Sequence, residues 1–151
     1  MVKDKVKVFF EERFARKDVC QVRLDNASFN TISEADSEML TDAFSEEEIR
    51  AVVWCCDSSK SPGPDGFNFG FLKFCWDIIK KDVMLAVKDF EAIGKWPRES
   101  NASFLCLIPK VDNPRQLGEF RPISLVGCLY KIISKALFLR LKKVICKFAK
   151  L

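Results

Sequence analysis

The chain has 151 residues, one ordinary domain or part of a larger one, and 48% hydrophobic with 30% charged residues marks it as globular rather than disordered. No apolar run approaches the roughly 20 residues of a membrane helix. The first residues, Met1-Val-Lys-Asp-Lys-Val-Lys7, lack a signal-peptide core, so the cytoplasm or nucleus is the expected compartment.

Charge is unevenly divided. Residues 1–60 carry nine Lys/Arg against thirteen Asp/Glu (net −4), residues 61–151 carry sixteen against eight (net +8), and no acid follows Glu119. A basic second half suits either a polyanion partner on one face or a solvated basic surface. The seven cysteines are an odd number without paired C-x-x-C spacing, and histidine is absent, so buried reduced thiols are expected rather than a zinc site.

In chain order, Val2, Val6, Phe9, Phe10 and Phe14 recur at helical intervals and predict a short amphipathic helix over 2–14. Residues 18–32 read as a loop or short strand. Ser45-Glu-Glu-Glu48 is a capping-box sequence, in which Ser45 accepts a backbone N–H and Glu48 reaches back. Ile49, Val52, Val53 and Cys56 then form the apolar stripe of a helix of about three turns. Ser58–Gly66 contains Pro62, Gly63, Pro64, Asp65 and Gly66, which force a compact elbow with a positive-φ position. Walker spacing is absent, so the elbow reads as structural, with Asp65 placed to cap the next helix.

Phe71, Leu72, Cys75, Trp76 and Ile79 fit one helical face, and Val83, Ala86, Val87, Phe90 and Ile93 fit a second helix stopped by Gly94 and Pro97. Their spacing favours core packing over base stacking. Ser103–Ile108, a short apolar run before Pro109, predicts a buried strand. After a polar turn the chain resumes at Glu119–Ser124, so strand, turn and second strand bring Lys110 and Arg121 together at the mouth of a hairpin. Two cations on a sheet edge suit phosphate. From about Ile123 to Phe148 the pattern is helical, with Leu125, Leu129, Ile132, Ile133, Ala136 and Leu137 on one side. Lys131, Lys135 and Lys142 lie on the other, and Arg140, Lys143 and Lys147 interrupt the apolar stripe. The fold class expected is α+β, mainly helical with one antiparallel hairpin.

Four motifs in order, Ser61-Pro-Gly-Pro-Asp-Gly66, Asn101–Lys110, Phe120-Arg-Pro-Ile-Ser-Leu125 and Tyr130–Lys135 with Arg140-Leu141, resemble the opening part of the reverse transcriptase of plant LINE-type (non-LTR) retrotransposons. The resemblance covers about residues 40–145. It implies the fingers portion of a right-hand polymerase, with residues 1–60 a helical lead-in and 61–151 a partial reverse transcriptase domain. In that family the cations matching Lys110 and Arg121 bind the triphosphate of the incoming deoxynucleotide. Lys131, Lys135 and Arg140 then become candidate contacts to the template-primer backbone or to carboxylates of a palm.

The partners implied for the parent enzyme are an RNA template, a DNA primer and dNTP, with Mg2+ as its cofactor. The palm aspartates that hold such metals have no counterpart here: no two aspartates are adjacent, and Asp65 matches the elbow. The sequence therefore predicts no catalytic residue, no metal site and no cofactor bound by this chain. Two other readings remain open at this point, a residual nucleic-acid-binding module and a translated remnant without biochemical role.

Overall fold

A computed structural model describes residues 2–15, 31–97 and 101–148; the expected loop or strand over 18–32 lies almost wholly outside them. The elements are α1 (Val2–Phe14), α2 (Glu34–Thr41), α3 (Glu46–Cys55), α4 (Phe69–Phe74), α5 (Trp76–Ile93), β1 (Ser103–Pro109), β2 (Phe120–Val126) and α6 (Cys128–Phe148). The fold is α+β and mostly helical, with β1 and β2 paired as one antiparallel hairpin. None of the described helices is long and apolar enough to cross a membrane.

Two compact units share the chain. The larger comprises residues 32–106 and 124–151. Its core gathers Ile49, Val52 and Val53 of α3, Phe69 and Leu72 of α4, Trp76, Val83 and Val87 of α5, and Ile132, Ile133 and Ala136 of α6. Ser45 caps α3 by accepting from the Glu48 N–H at 3.1 Å, which satisfies one of the orphan donors at a helix start. The reciprocal half of the expected capping box is not made, because the Glu48 carboxylate turns to Arg140.

The aromatic segment breaks differently from expectation. α4 stops at Cys75 and α5 runs unbroken from Trp76 to Ile93, ended by Gly94 in the left-handed region (φ 65°). Trp76 and Leu72 are buried, whereas Phe71 lies stacked on Phe67 and Phe74 is 91% exposed. The helix after β2 begins at Cys128, not near Ile123, because Ile123–Val126 extend the strand.

The smaller unit comprises residues 1–31 and 107–123. In α1, Phe10 is buried, with Phe9 edge-on at 5.1 Å and Phe14 stacked at 6.0 Å. Leu117 shares a hollow with Asp4, Lys5, Val8, Phe9 and Glu12 of α1. The strand expected to be buried is not: Phe104, Leu105 and Ile108 are all exposed. Apolar content makes a strand favourable, but burial needs a second layer, and a two-stranded ribbon supplies none of its own. Among the described cysteines the expectation of burial is met only in Cys128. Cys55, Cys106 and Cys146 are free but exposed.

Candidate functional site

The hairpin tip is built within the smaller unit. The Lys110 N–H donates to the Glu119 carbonyl at 2.8 Å. Continuing that register, Pro109 faces Phe120 and Ile108 faces Arg121. Facing residues of an antiparallel pair share a face, as do residues two apart on one strand. Lys110 and Arg121 therefore lie on one face as diagonal neighbours, a relationship that typically spans about 7–8 Å. Both are exposed. The same alternation puts Pro122 where its missing N–H would point away from β1, so a proline inside the strand costs the ladder nothing.

The connecting loop is held by its own polar groups. Asn113 takes the left-handed conformation (φ 51°), which asparagine tolerates better than most residues. The Glu119 carboxylate accepts the N–H groups of Arg115 at 2.6 Å and Gln116 at 3.1 Å, and those bonds hold its pKa below the usual carboxylate range. Gln116 returns a side-chain bond to the Glu119 backbone, closing a capping box around the turn at 117–119. The Lys110 ammonium donates to the Gly118 carbonyl at 2.8 Å. One acid is thus tied into the loop, and of the two exposed cations Lys110 rests its ammonium on a loop carbonyl. Such an arrangement can offer a phosphate a guanidinium fork and a mobile ammonium.

The elbow belongs to the larger unit, and packing explains its composition. A Cβ on Gly63 would sit 2.4 Å from the Val126 carbonyl carbon and 2.6 Å from the Gly127 nitrogen, so only glycine lets the elbow lie against the junction of β2 and α6. Gly66 supplies the positive φ, at 73°. Asp65 does not cap the next helix as expected; Asn68 does, accepting from the Phe71 N–H at 2.9 Å. Asp65 instead accepts from the Cys128 N–H at 2.5 Å, placing a carboxylate at the positive end of α6. Burial, followed by the Asp65 charge, pushes the Cys128 thiol up to about 11. The elbow therefore fixes where the hairpin hands over to α6.

The α6 cations divide. Lys131 donates to the Ser61 carbonyl at 3.3 Å, and the Lys135 ammonium lies 5.3 Å from the Phe138 ring centre. Arg140, expected to contact nucleic acid or palm carboxylates, is buried and finds its partners inside the chain. It donates to Glu48 at 2.9 and 2.7 Å and to the carbonyls of Asp42 and Ala43, and its guanidinium lies 3.9 Å from the Phe44 ring centre. The Glu48 hydrogen bond holds it charged against the cost of desolvation. Phe44 is fixed from a second side, since its N–H donates to Glu91 at 2.6 Å. Sequence reasoning missed this cluster and the pairing of Lys147 with Asp36, a carboxylate also bonded to Ser33. Nothing in local spacing joins residues roughly a hundred positions apart.

The magnesium expected of a parent polymerase needs gathered carboxylates. Among the described residues no three His, Cys, Asp or Glu side chains come together to hold a metal ion. Five of the acids are instead committed singly: Glu48 to Arg140, Asp36 to Lys147, Asp57 to Ser59, Asp65 to the start of α6 and Glu119 to its loop. The donor set of the described residues does not fit a two-metal centre.

Fold and geometry together define a mainly helical α+β protein with one hairpin that carries two exposed cations, Lys110 and Arg121, on one face. No protein-family model matches the chain. Over 150 residues it is 29% identical to the transposon TX1 uncharacterized 149 kDa protein of Xenopus laevis, a match that takes in 97% of this chain. The chain spans 11% of that relative's length.

Proposed function

We propose that this chain derives from a non-LTR retrotransposon of the plant LINE type and corresponds to the fingers of its reverse transcriptase, with residues 61–151 as the partial polymerase domain. Its hairpin grips the triphosphate of a deoxynucleotide through Lys110 and Arg121. One observation carries the reading: the register aligns the two motif cations on one exposed face of the hairpin, while the neighbouring acid is spent on the loop. The similarity to a transposon protein along nearly the whole chain supports the origin, and the ordered motifs support the polymerase assignment.

Triphosphate oxygens bridged by Arg121 and Lys110 would be oriented and partly neutralised, which is the positioning half of phosphoryl-transfer catalysis. No carboxylate cluster forms a metal-holding half among the described residues, and on this reading the chain alone binds and does not polymerise. Primer extension with the purified chain, an RNA template, a DNA primer, dNTP and Mg2+ tests this. No incorporation above background is expected, and template-dependent extension would overturn the claim.

A further inference from the structure

A hollow of about 280 Å³ opens in the larger unit where the elbow, the chain after α5 and the start of α6 meet. Trp96 and Tyr130 line it, and Pro64, Ala102 and Leu129 add apolar wall. The two rings stand nearly perpendicular, at 80°, with their centres 6.3 Å apart. They form a corner in which one cation lies within the roughly 6 Å reach of both rings at once. Trp96 is held by ring packing, against Phe90 at 6.1 Å as well as Tyr130, and its indole N–H is buried without a partner among the described residues. A donor closed to solvent is closed to a ligand too, so Trp96 offers ring surface rather than a hydrogen bond.

Asp65 is the one charged side chain among the described residues that line the hollow, although residues 61–151 carry sixteen Lys/Arg against eight Asp/Glu. Two backbone donors position its carboxylate, the Cys128 N–H at 2.5 Å and the Phe67 N–H at 3.4 Å. It forms no salt bridge among the described residues. Lys131, two residues beyond Leu129, gives its ammonium to the Ser61 carbonyl at 3.3 Å instead. A basic half of the chain thus contains a hollow walled by two rings and a carboxylate that lacks a cation.

We propose that this hollow binds a methylated ammonium head group, with the cation in the Trp96/Tyr130 corner, its methyl groups against Pro64 and Leu129, and Asp65 as counter-charge. An anion would face the Asp65 carboxylate. A primary ammonium is strongly hydrated and would lose that hydration among apolar walls, whereas methyl groups turn the same burial favourable. A guanidinium is planar and stacks along one face, which a perpendicular corner suits less well than a rounded group. The volume falls below the roughly 300–1,000 Å³ of pockets that take whole drug-sized ligands, so a head group fits better than a larger molecule. A free choline-type cation and a trimethyllysine side chain share this chemistry. The inference uses no hairpin residue and does not rest on the polymerase reading.

The test follows the indole and backbone N–H signals of the full chain by NMR. The titrants are choline, its neutral tert-butyl isostere, and short peptides carrying trimethyllysine or unmodified lysine. Choline should bind at least tenfold more tightly than the isostere, and the trimethyllysine peptide than its lysine counterpart; the tighter of the two cations identifies the source of the head group. Tyr130→Ala and Asp65→Asn should each weaken binding roughly tenfold, the scale of one desolvated cation–ring or charge contact. Tyr130→Phe keeps the ring and should retain binding, and Asp65→Asn keeps an acceptor for the Cys128 N–H, so a folding defect is distinguishable from a lost contact. An isostere that binds as tightly as choline would overturn the proposal by reducing the site to an apolar hollow. Parental affinity in both Tyr130→Ala and Asp65→Asn, or no response to either cation, would overturn it equally.

Discussion

Substituting Gly63 by alanine tests how the elbow holds the start of α6. The new Cβ would meet Val126 C at 2.4 Å, Val126 O at 2.5 Å and Gly127 N at 2.6 Å. All three are backbone atoms, so no side chain can swing aside, and the elbow or the junction must move by about 1 Å to reach ordinary contact. Overpacking of this kind costs about 1–3 kcal/mol. The same movement would stretch the Asp65 bond to the Cys128 N–H, and a hydrogen bond to a charged group is worth about 1.5–3 kcal/mol.

A loss of about 3–5 kcal/mol is a large part of the 5–15 kcal/mol that holds most domains together. At roughly 2–4 °C per kcal/mol it lowers the midpoint by about 6–20 °C. Trp54, Trp76 and Trp96 all lie in the larger unit, so their fluorescence during thermal or urea unfolding reports on the elbow's own surroundings. Gly118→Ala is the matched control: nothing lies within 4 Å of its Cβ position, and its change should stay within about 1 kcal/mol. An unchanged midpoint in Gly63→Ala, or a larger loss in Gly118→Ala, would refute the reasoning.

Arg140→Met should destabilise the larger unit by about 3–5 kcal/mol, because the Glu48 carboxylate and two carbonyls lose their donor; chemical denaturation measures it, and a change below about 1 kcal/mol would mean the cluster is not structural. Cys128 should resist alkylation in the folded chain at mildly alkaline pH, since a thiol pushed up to about 11 stays protonated, whereas exposed Cys55, Cys106 and Cys146 should react; peptide mass spectrometry distinguishes them. The Lys147 and Ser33 bonds hold the Asp36 carboxyl below its ordinary value, so their contribution is present above about pH 4 and is lost as the pH falls through the lowered value. Unfolding midpoints between pH 6 and 2 should fall less steeply in Lys147→Met than in the parent chain, and identical slopes would contradict the pairing.

Much of the fold was legible because its signals are local. Ser45 before three glutamates and an apolar stripe gave α3, Gly94 gave the end of α5, and the apolar run between prolines gave β1. What failed were inferences that depend on distant partners. Helix α2 is short, and part of what holds it comes from Asp36 meeting Lys147, 111 residues away. Glu48 suited a capping box equally well until Arg140, 92 residues on, took its carboxylate. Asp65 looked like a cap for the following helix, yet it caps one that begins 63 positions later. The exposure of β1 was hidden for a related reason, since an apolar sequence specifies that a strand can be buried and not what covers it.

At the hairpin, the strand–turn–strand pattern was enough to expect Lys110 near Arg121, whereas the engagement of Glu119 depended on the loop conformation. The most direct test is calorimetric titration of a deoxynucleoside triphosphate into the chain at low salt, beside the Lys110→Ala, Arg121→Ala double variant. At about tenfold per lost charge-assisted contact, the variant should bind about a hundredfold more weakly, and the unphosphorylated deoxynucleoside should bind neither. Equal triphosphate affinity in the two chains would contradict the hairpin's assignment as a phosphate grip.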